Sequence, residues 1–214
     1  MRGPARRMTV TALAALALAG CTAGGADPQG TGDAGATAST PLATESAATT
    51  ESAVATAVLA DVDGQELGDV QIVPADEALR VVVDVEGMDP GFYAMHVHTV
   101  GLCEPESSPP GDPTRTGAFL SAGGHLGADE STHAAHAGDL PSLYVLADGT
   151  GHLETVTDGL TAADLLDDDG SAVMVHAGRD NFANIPERYS ATGPDQQTLD
   201  TGDAGDRLAC GVVE

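Results

Sequence analysis

Six of the seven histidines in this chain fall in an ordered series. They are His96-Val97-His98, His125, His133, His136 and His176, and Asp139 follows three residues after His136. On a β-strand, side chains two residues apart share a face, so His96 and His98 aim two imidazoles at one point. Imidazoles without thiolates suit copper or zinc, and a nitrogen-rich, roughly planar set favours Cu(II). The remaining ligands come from distant segments, so any such site must be assembled by the fold. Each residue alone has a plainer reading: a surface histidine on a strand, a turn residue after Gly123-Gly124, a loop histidine or an exposed His–Asp pair. Together they read as a metal centre. His152 falls at a turn and is assigned no role.

The elements that must position these residues are short apolar or alternating runs separated by Gly, Asp and Pro. They are AVATAVLADVDG, GDVQIVP, ALRVVVDVEG, GFYAMHVHTV, LPSLYVLADG, GHLETVT and AVMVHAG. Strand and turn signals at this spacing predict an all-β antiparallel sandwich or barrel. TAADLLDDD is the best helical candidate, a short turn of helix within a connection. Residues 101–139 and 177–206 lack pattern, and loops that long in a compact domain are usually functional. The candidate ligands lie in or beside these two loops.

The 214-residue chain fits one domain with appendages. Residues 1–20 carry Arg2, Arg6 and Arg7 before an apolar run from Val10 to Ala19, which reads as a signal peptide too short to span a bilayer comfortably. Leu18-Ala19-Gly20-Cys21 resembles a bacterial lipobox, which implies lipidation of Cys21. The exported protein would then be a cell-membrane lipoprotein facing the extracytoplasmic side. Of residues 22–52, 23 are Ala, Thr, Gly or Ser, so 21–52 is expected to be a disordered tether with a reach on the order of 30 Å. The folded domain is placed at 53–214. With Cys21 lipidated, Cys103 and Cys210 remain, and an oxidising compartment favours a disulfide between them. Closing so long a loop is worth roughly 2–4 kcal/mol. The net charge of −25, with no Lys, argues against nucleic acid and against an anionic membrane surface as partners.

GFYAMHVHTVGLC, FLSAGGHLG, HAGDLPSL, MVHAGRDN and GDAGDRLACGV occur in the order found in bacterial-type copper/zinc superoxide dismutases, and the domain at 53–214 resembles that family along its whole length. The resemblance implies a Greek-key β-sandwich or flattened barrel of about eight antiparallel strands with two long functional loops. Copper would be held by His96, His98, His125 and His176. Zinc would be held by His125, His136 and Asp139, with His133 as the fourth candidate and His125 bridging both metals. Asp180 matches the family's outer carboxylate that hydrogen-bonds a ligand of each metal. Arg207 matches its anion-guiding arginine, and Cys103 with Cys210 its disulfide.

The activity implied is dismutation of superoxide anion to oxygen and hydrogen peroxide, with copper carrying the electrons, His125 passing a proton and Arg207 receiving the anion. One departure stands out. His133 and His136 are three residues apart where the family has a longer segment, so the zinc loop is shortened. That leaves open a four-ligand zinc site, a weaker three-ligand one, or a copper-only enzyme. The acidic balance of 177–206 against Arg179 and Arg188 predicts weak steering of the anion. The alternative is a non-catalytic copper-binding envelope lipoprotein of the same fold; the full ligand set and Arg207 favour the enzyme. A homodimer is left open.

Overall fold

The seven alternating runs become seven strands and the chain adds an eighth: β1 (Ala55–Asp61), β2 (Glu66–Ala75), β3 (Ala78–Val85), β4 (Gly91–His98), β5 (Asp139–Val145), β6 (Gly151–Thr157), β7 (Ala172–His176) and, outside those runs, β8 (Arg207–Val212). They come from a computed structural model that describes residues 52–214; the expected signal peptide, Cys21 and the expected tether up to residue 51 lie outside the described residues. The strands close an antiparallel barrel in the order β1-β2-β3-β6-β5-β4-β7-β8. Neighbours in space are not always neighbours in sequence, because β3 pairs with β6 while β4 lies between β5 and β7. This is the Greek-key arrangement that the resemblance implied.

Alternation sets the inside of the barrel. Ala55, Ala57 and Leu59 of β1 and Leu79, Val81, Val83 and Val85 of β3 enter one core with Val70, Ile72 and Leu143. Burying each Val, Leu or Ile side chain contributes about 1.5–3 kcal/mol. On β4 the same rule sends Met95 and Val97 into the core and His96 and His98 outward. Yet both histidines are buried, at 0% and 1% exposure, so something covers the outer face of β4.

The cover is the pair of long connections. The one after β4 carries a 3-10 turn at Leu120–Ala122, and its Phe119 and Ala122 pack with Ala172, Met174 and Cys210 in a second apolar cluster. A disulfide between Cys103 and Cys210 ties this loop to β8, as expected. The connection after β7 holds a helix that the sequence reading lacked. The short α1 (Ala162–Leu165) lies within the expected helical stretch and starts in a Thr161–Asp164 capping box. The unexpected α2 (Gln196–Thr201) is N-capped by Asp195, whose side chain accepts from the Thr198 amide, and ends at left-handed Gly202. A second correction concerns His152. It lies in β6 rather than in a turn, because Gly151 already pairs with Val85 and Val145, and its ring bonds exposed Asp84 at 2.7 Å.

Candidate metal centre

Strand register brings the ligands together. On β4, His96 lies opposite Asp139 of β5 on one side and Met174 of β7 on the other. His98 forms an isolated antiparallel bridge with His125. His176, at the end of β7, lies opposite Arg207 of β8. The loop between His125 and Asp139 is fastened to Val97, the residue between the two β4 histidines. Leu126 N–H donates to Val97 O, Val97 N–H to Gly138 O, and Gly138 N–H to Leu126 O, at 2.8, 2.8 and 2.9 Å. Gly138 has to be glycine here, since a Cβ would overlap Val97 O.

His96, His98, His125 and His176 form one buried set with nitrogens mutually within 4.8 Å. Three of these rings have one nitrogen engaged by an acceptor that carries no proton. His96 Nε2–H donates to Asp180 at 2.8 Å, His98 Nδ1–H to Gly123 O at 2.9 Å, and His176 Nδ1–H to Gly205 O at 3.1 Å. Each tautomer is thereby fixed, and the lone pairs fall on His96 Nδ1, His98 Nε2 and His176 Nε2. Those three atoms are buried without a hydrogen-bond partner. Buried, unpaired nitrogens are costly unless a cation takes their lone pairs, so the set fits copper. Burial, foremost, lowers the pKa of His96 to about 4 and of His176 to about 3, and His98 falls well below its usual value. All three rings are therefore neutral at pH 7 and ready to bind metal.

The second set includes His133. His125 Nδ1 lies 3.0 Å from Asp139 Oδ1 and 3.2 Å from His136 Nδ1. Asp139 Oδ1 lies 3.0 Å from His133 Nδ1 and 3.3 Å from His136 Nδ1. Four ligands at zinc bond lengths form a tetrahedron with edges of about 3.3 Å. His133 Nδ1 makes no hydrogen bond despite its nearness to Asp139, so both atoms face a common centre rather than each other. These residues fit zinc, with His133 within reach as a fourth ligand. His96 also lies within ligand distance of His125, His133 and Asp139. However, its Nε2 is held by Asp180, and its one free nitrogen belongs to the copper set. His125 is common to both sets, with Nδ1 on the zinc side and Nε2 left for copper.

Asp180 links the sets as the resemblance implied. It accepts from His96 Nε2 and, at 2.8 Å, from His133 Nε2, and is itself held by the Phe182 amide. Burial alone would raise the pKa of Asp180 and Asp139, but hydrogen bonds from the histidines keep both well below the usual carboxylate range. Burial also opposes protonation of His133, yet the adjacent Asp139 and Asp180 carboxylates outweigh it and raise that pKa to about 9.

The copper set opens onto a cleft of about 930 Å³ whose wall includes His98, His125, His176, Arg207, Arg115 and Thr201. The Arg207 guanidinium donates to Phe119 O and Gly123 O, and Gly123 O also accepts from His98. Arg207 is thus fixed relative to a copper ligand. Burial, and secondarily Arg115, lower its pKa to about 10, so it stays charged at neutral pH.

A family model for copper/zinc superoxide dismutase (SODC) matches residues 66–213. The chain belongs to the copper/zinc superoxide dismutase family. It is of the bacterial type. Over 168 residues it is 45% identical to a copper/zinc superoxide dismutase of Mycobacterium bovis, covering 74% of this chain and 69% of the relative. It is 53% identical to one of Mycolicibacterium paratuberculosis over 133 residues, or 59% of this chain and a little over half, 57%, of that relative. Among solved structures, the Brucella abortus enzyme is 30% identical with a TM-score of 0.56, covering 74% of this chain and 98% of the other. A dismutase-like protein from Bacillus subtilis is 25% identical with a TM-score of 0.55, over 73% and 95% of the two chains. The two ligand clusters match the copper and zinc sites of this family.

Sequence reasoning missed Arg115 and α2. Arg115 sits in a patternless stretch, and its one signal was being among five cations outside the first 20 residues.

Proposed function

We propose that this dismutase-family chain converts superoxide to oxygen and hydrogen peroxide while tethered to the outer face of the cell membrane through a lipid on Cys21. The observation that carries the catalytic half is the convergence of three tautomer-fixed, unpartnered imidazole nitrogens and His125 beside a cleft lined by His98, His125, His176 and Arg207. Copper bound to that set supplies the one-electron exchange. Arg207 offers a small anion a planar cation whose position is set by the two carbonyls that hold it. Burial of the His96, His98 and His176 rings disfavours competing protons at the nitrogens that bind. Two superoxide anions consume two protons on dismutation. His125 lines the cleft, and its Nδ1 sits among Asp139 and His136, so it is placed to hold a proton at Nε2 and release it. Asp180 keeps His96 and His133 in their working tautomers.

The test is superoxide decay catalysed by the copper-loaded protein and by His98→Asn. Activity in the first and its loss in the second support the reading; equal rates with both would sink it. The tether rests on the signal-like residues 1–20, Cys21 and the small-residue stretch after it. It is tested by detergent-phase partition of the expressed chain. Wild type is expected in the detergent phase and Cys21→Ala in the aqueous phase, and partition unaffected by the substitution would refute lipid anchoring.

A further inference from the structure

We propose that Gly202 is a positioning residue for the zinc ligand His133, and that the end of α2 does the work of the length missing from the 126–138 loop. The inference rests on the reading of the second ligand set as a zinc site.

His133 cannot be aimed by its own short loop alone, and the structure surrounds it with the other long connection. Its backbone N–H donates to Leu199 O of α2 at 2.8 Å. Its Nε2 is held by both carboxylate oxygens of Asp180, at 2.8 and 2.9 Å. Its ring lies parallel to Phe182, with centroids 6.4 Å apart. Gly202 completes the enclosure. A Cβ there would overlap Asp180 Oδ1 and His133 Nε2. Gly202 O also accepts from the Asn181 amide at 2.9 Å, which fixes the turn that presents Asp180. The His133–Asp180 contact is therefore seated against the bare backbone of the helix end. Any side chain at 202 would push the ring or the carboxylate aside and turn Nδ1 away from the zinc set.

α2 is itself anchored. Asp195 caps its first turn, and the buried Thr198 hydroxyl lies 2.9 Å from Asp203 and 3.1 Å from Asp195. The same helix contributes Gln197, Asp200 and Thr201 to the cleft wall. Zinc binding and the order of α2 are thus coupled, and such coupling is reciprocal.

The experiment uses the full-length protein. Zinc and copper affinities are measured by chelator competition, and Co(II) is bound in the zinc set to read its d–d spectrum. Loss of an outer contact to a ligand typically costs about 10–100-fold in metal affinity. Gly202→Ala is expected to lose zinc affinity by about that factor, with an altered Co(II) spectrum and a smaller change in copper affinity. Gly193→Ala is the control. It has the same left-handed backbone in the same connection, φ +72 against +58, but open space around the added Cβ. It should leave zinc affinity and spectrum unchanged. A zinc-binding wild type whose Gly202→Ala variant binds zinc equally well, or whose two variants lose affinity equally, overturns the proposal alone. A wild type that takes up no zinc overturns the zinc reading with it. If Gly202→Ala fails to fold, hydrogen exchange of the wild type decides. Zinc is expected to slow exchange at the His133, Leu199 and Gly202 amides, and unchanged exchange at Leu199 and Gly202 would overturn the coupling.

Discussion

Arg207→Gln removes the half-buried cation of the cleft while keeping a planar polar group in its place. The wild-type guanidinium is fastened by two carbonyls, Phe119 O and Gly123 O, so it faces an incoming anion with little reorganisation left to do. A hydrogen bond to a charged group contributes about 1.5–3 kcal/mol. At 1.36 kcal/mol per tenfold in rate, kcat/KM should fall about 10–100-fold. Arg207→Lys keeps the charge, but an ammonium cannot reproduce the fork that spans two carbonyls, so an intermediate loss of about 3–10-fold is expected. Stopped-flow decay of superoxide measures both, with copper per chain determined by elemental analysis so that rates compare equally loaded proteins. A change smaller than about twofold for Arg207→Gln at equal copper occupancy would refute an anion-receiving role.

Other consequences are as direct. At pH 7 the rings of His96, His98 and His176 are neutral while His133, with its pKa near 9, carries a proton, so zinc uptake should release about one proton more than copper uptake. Calorimetry in buffers of different ionisation enthalpy would show it, and equal release would contradict the assignment. In the metal-free protein, the depressed pKa values of His96 and His176 give stability that is present above about pH 6.5 and lost as pH falls through 4 and 3. The raised value of His133 acts oppositely, its contribution being lost as pH rises through 9, so Tm should drop between pH 6.5 and 4. The disulfide closes a separation of 107 residues, and Cys103→Ala with Cys210→Ala should destabilise the fold by about 2–5 kcal/mol in denaturant unfolding. A loss below about 1 kcal/mol would show that the apolar cluster alone holds the loop. Asp200, Asp203 and Asp206 share the cleft wall with Arg115 and Arg207, so steering should be weak. Raising ionic strength from about 0.01 to about 0.15 M shortens the screening length from about 30 to about 8 Å and should change kcat/KM by less than about twofold. A steep fall would point to Arg115 as a strong guide.

The copper ligands were legible because their signals are local. His96 and His98 obey strand alternation, His176 ends a strand, and His125 sits in the contiguous motif FLSAGGHLG. The barrel was legible for the same reason, through runs with period two. His133 was not, because covalent spacing to His136 says only that its loop is short. What seats its ring is Asp180 and α2, which lie 47 and more than 60 residues further on. α2 gave no periodic signal of its own. It is six residues long, and only Thr198 is buried. Its readable marks were a capping Asp195 and a terminating Gly202, both common in loops. Arg115 reaches the cleft from a stretch with no regular structure, where sequence gives no direction to a side chain.

The central claim is a binuclear centre with catalytic copper. It is tested most directly by elemental analysis of the purified protein, paired with a superoxide dismutation assay on the same sample. One copper and one zinc per chain, with activity, is the predicted result. Copper bound without activity would contradict it and leave a copper-binding protein of the same fold.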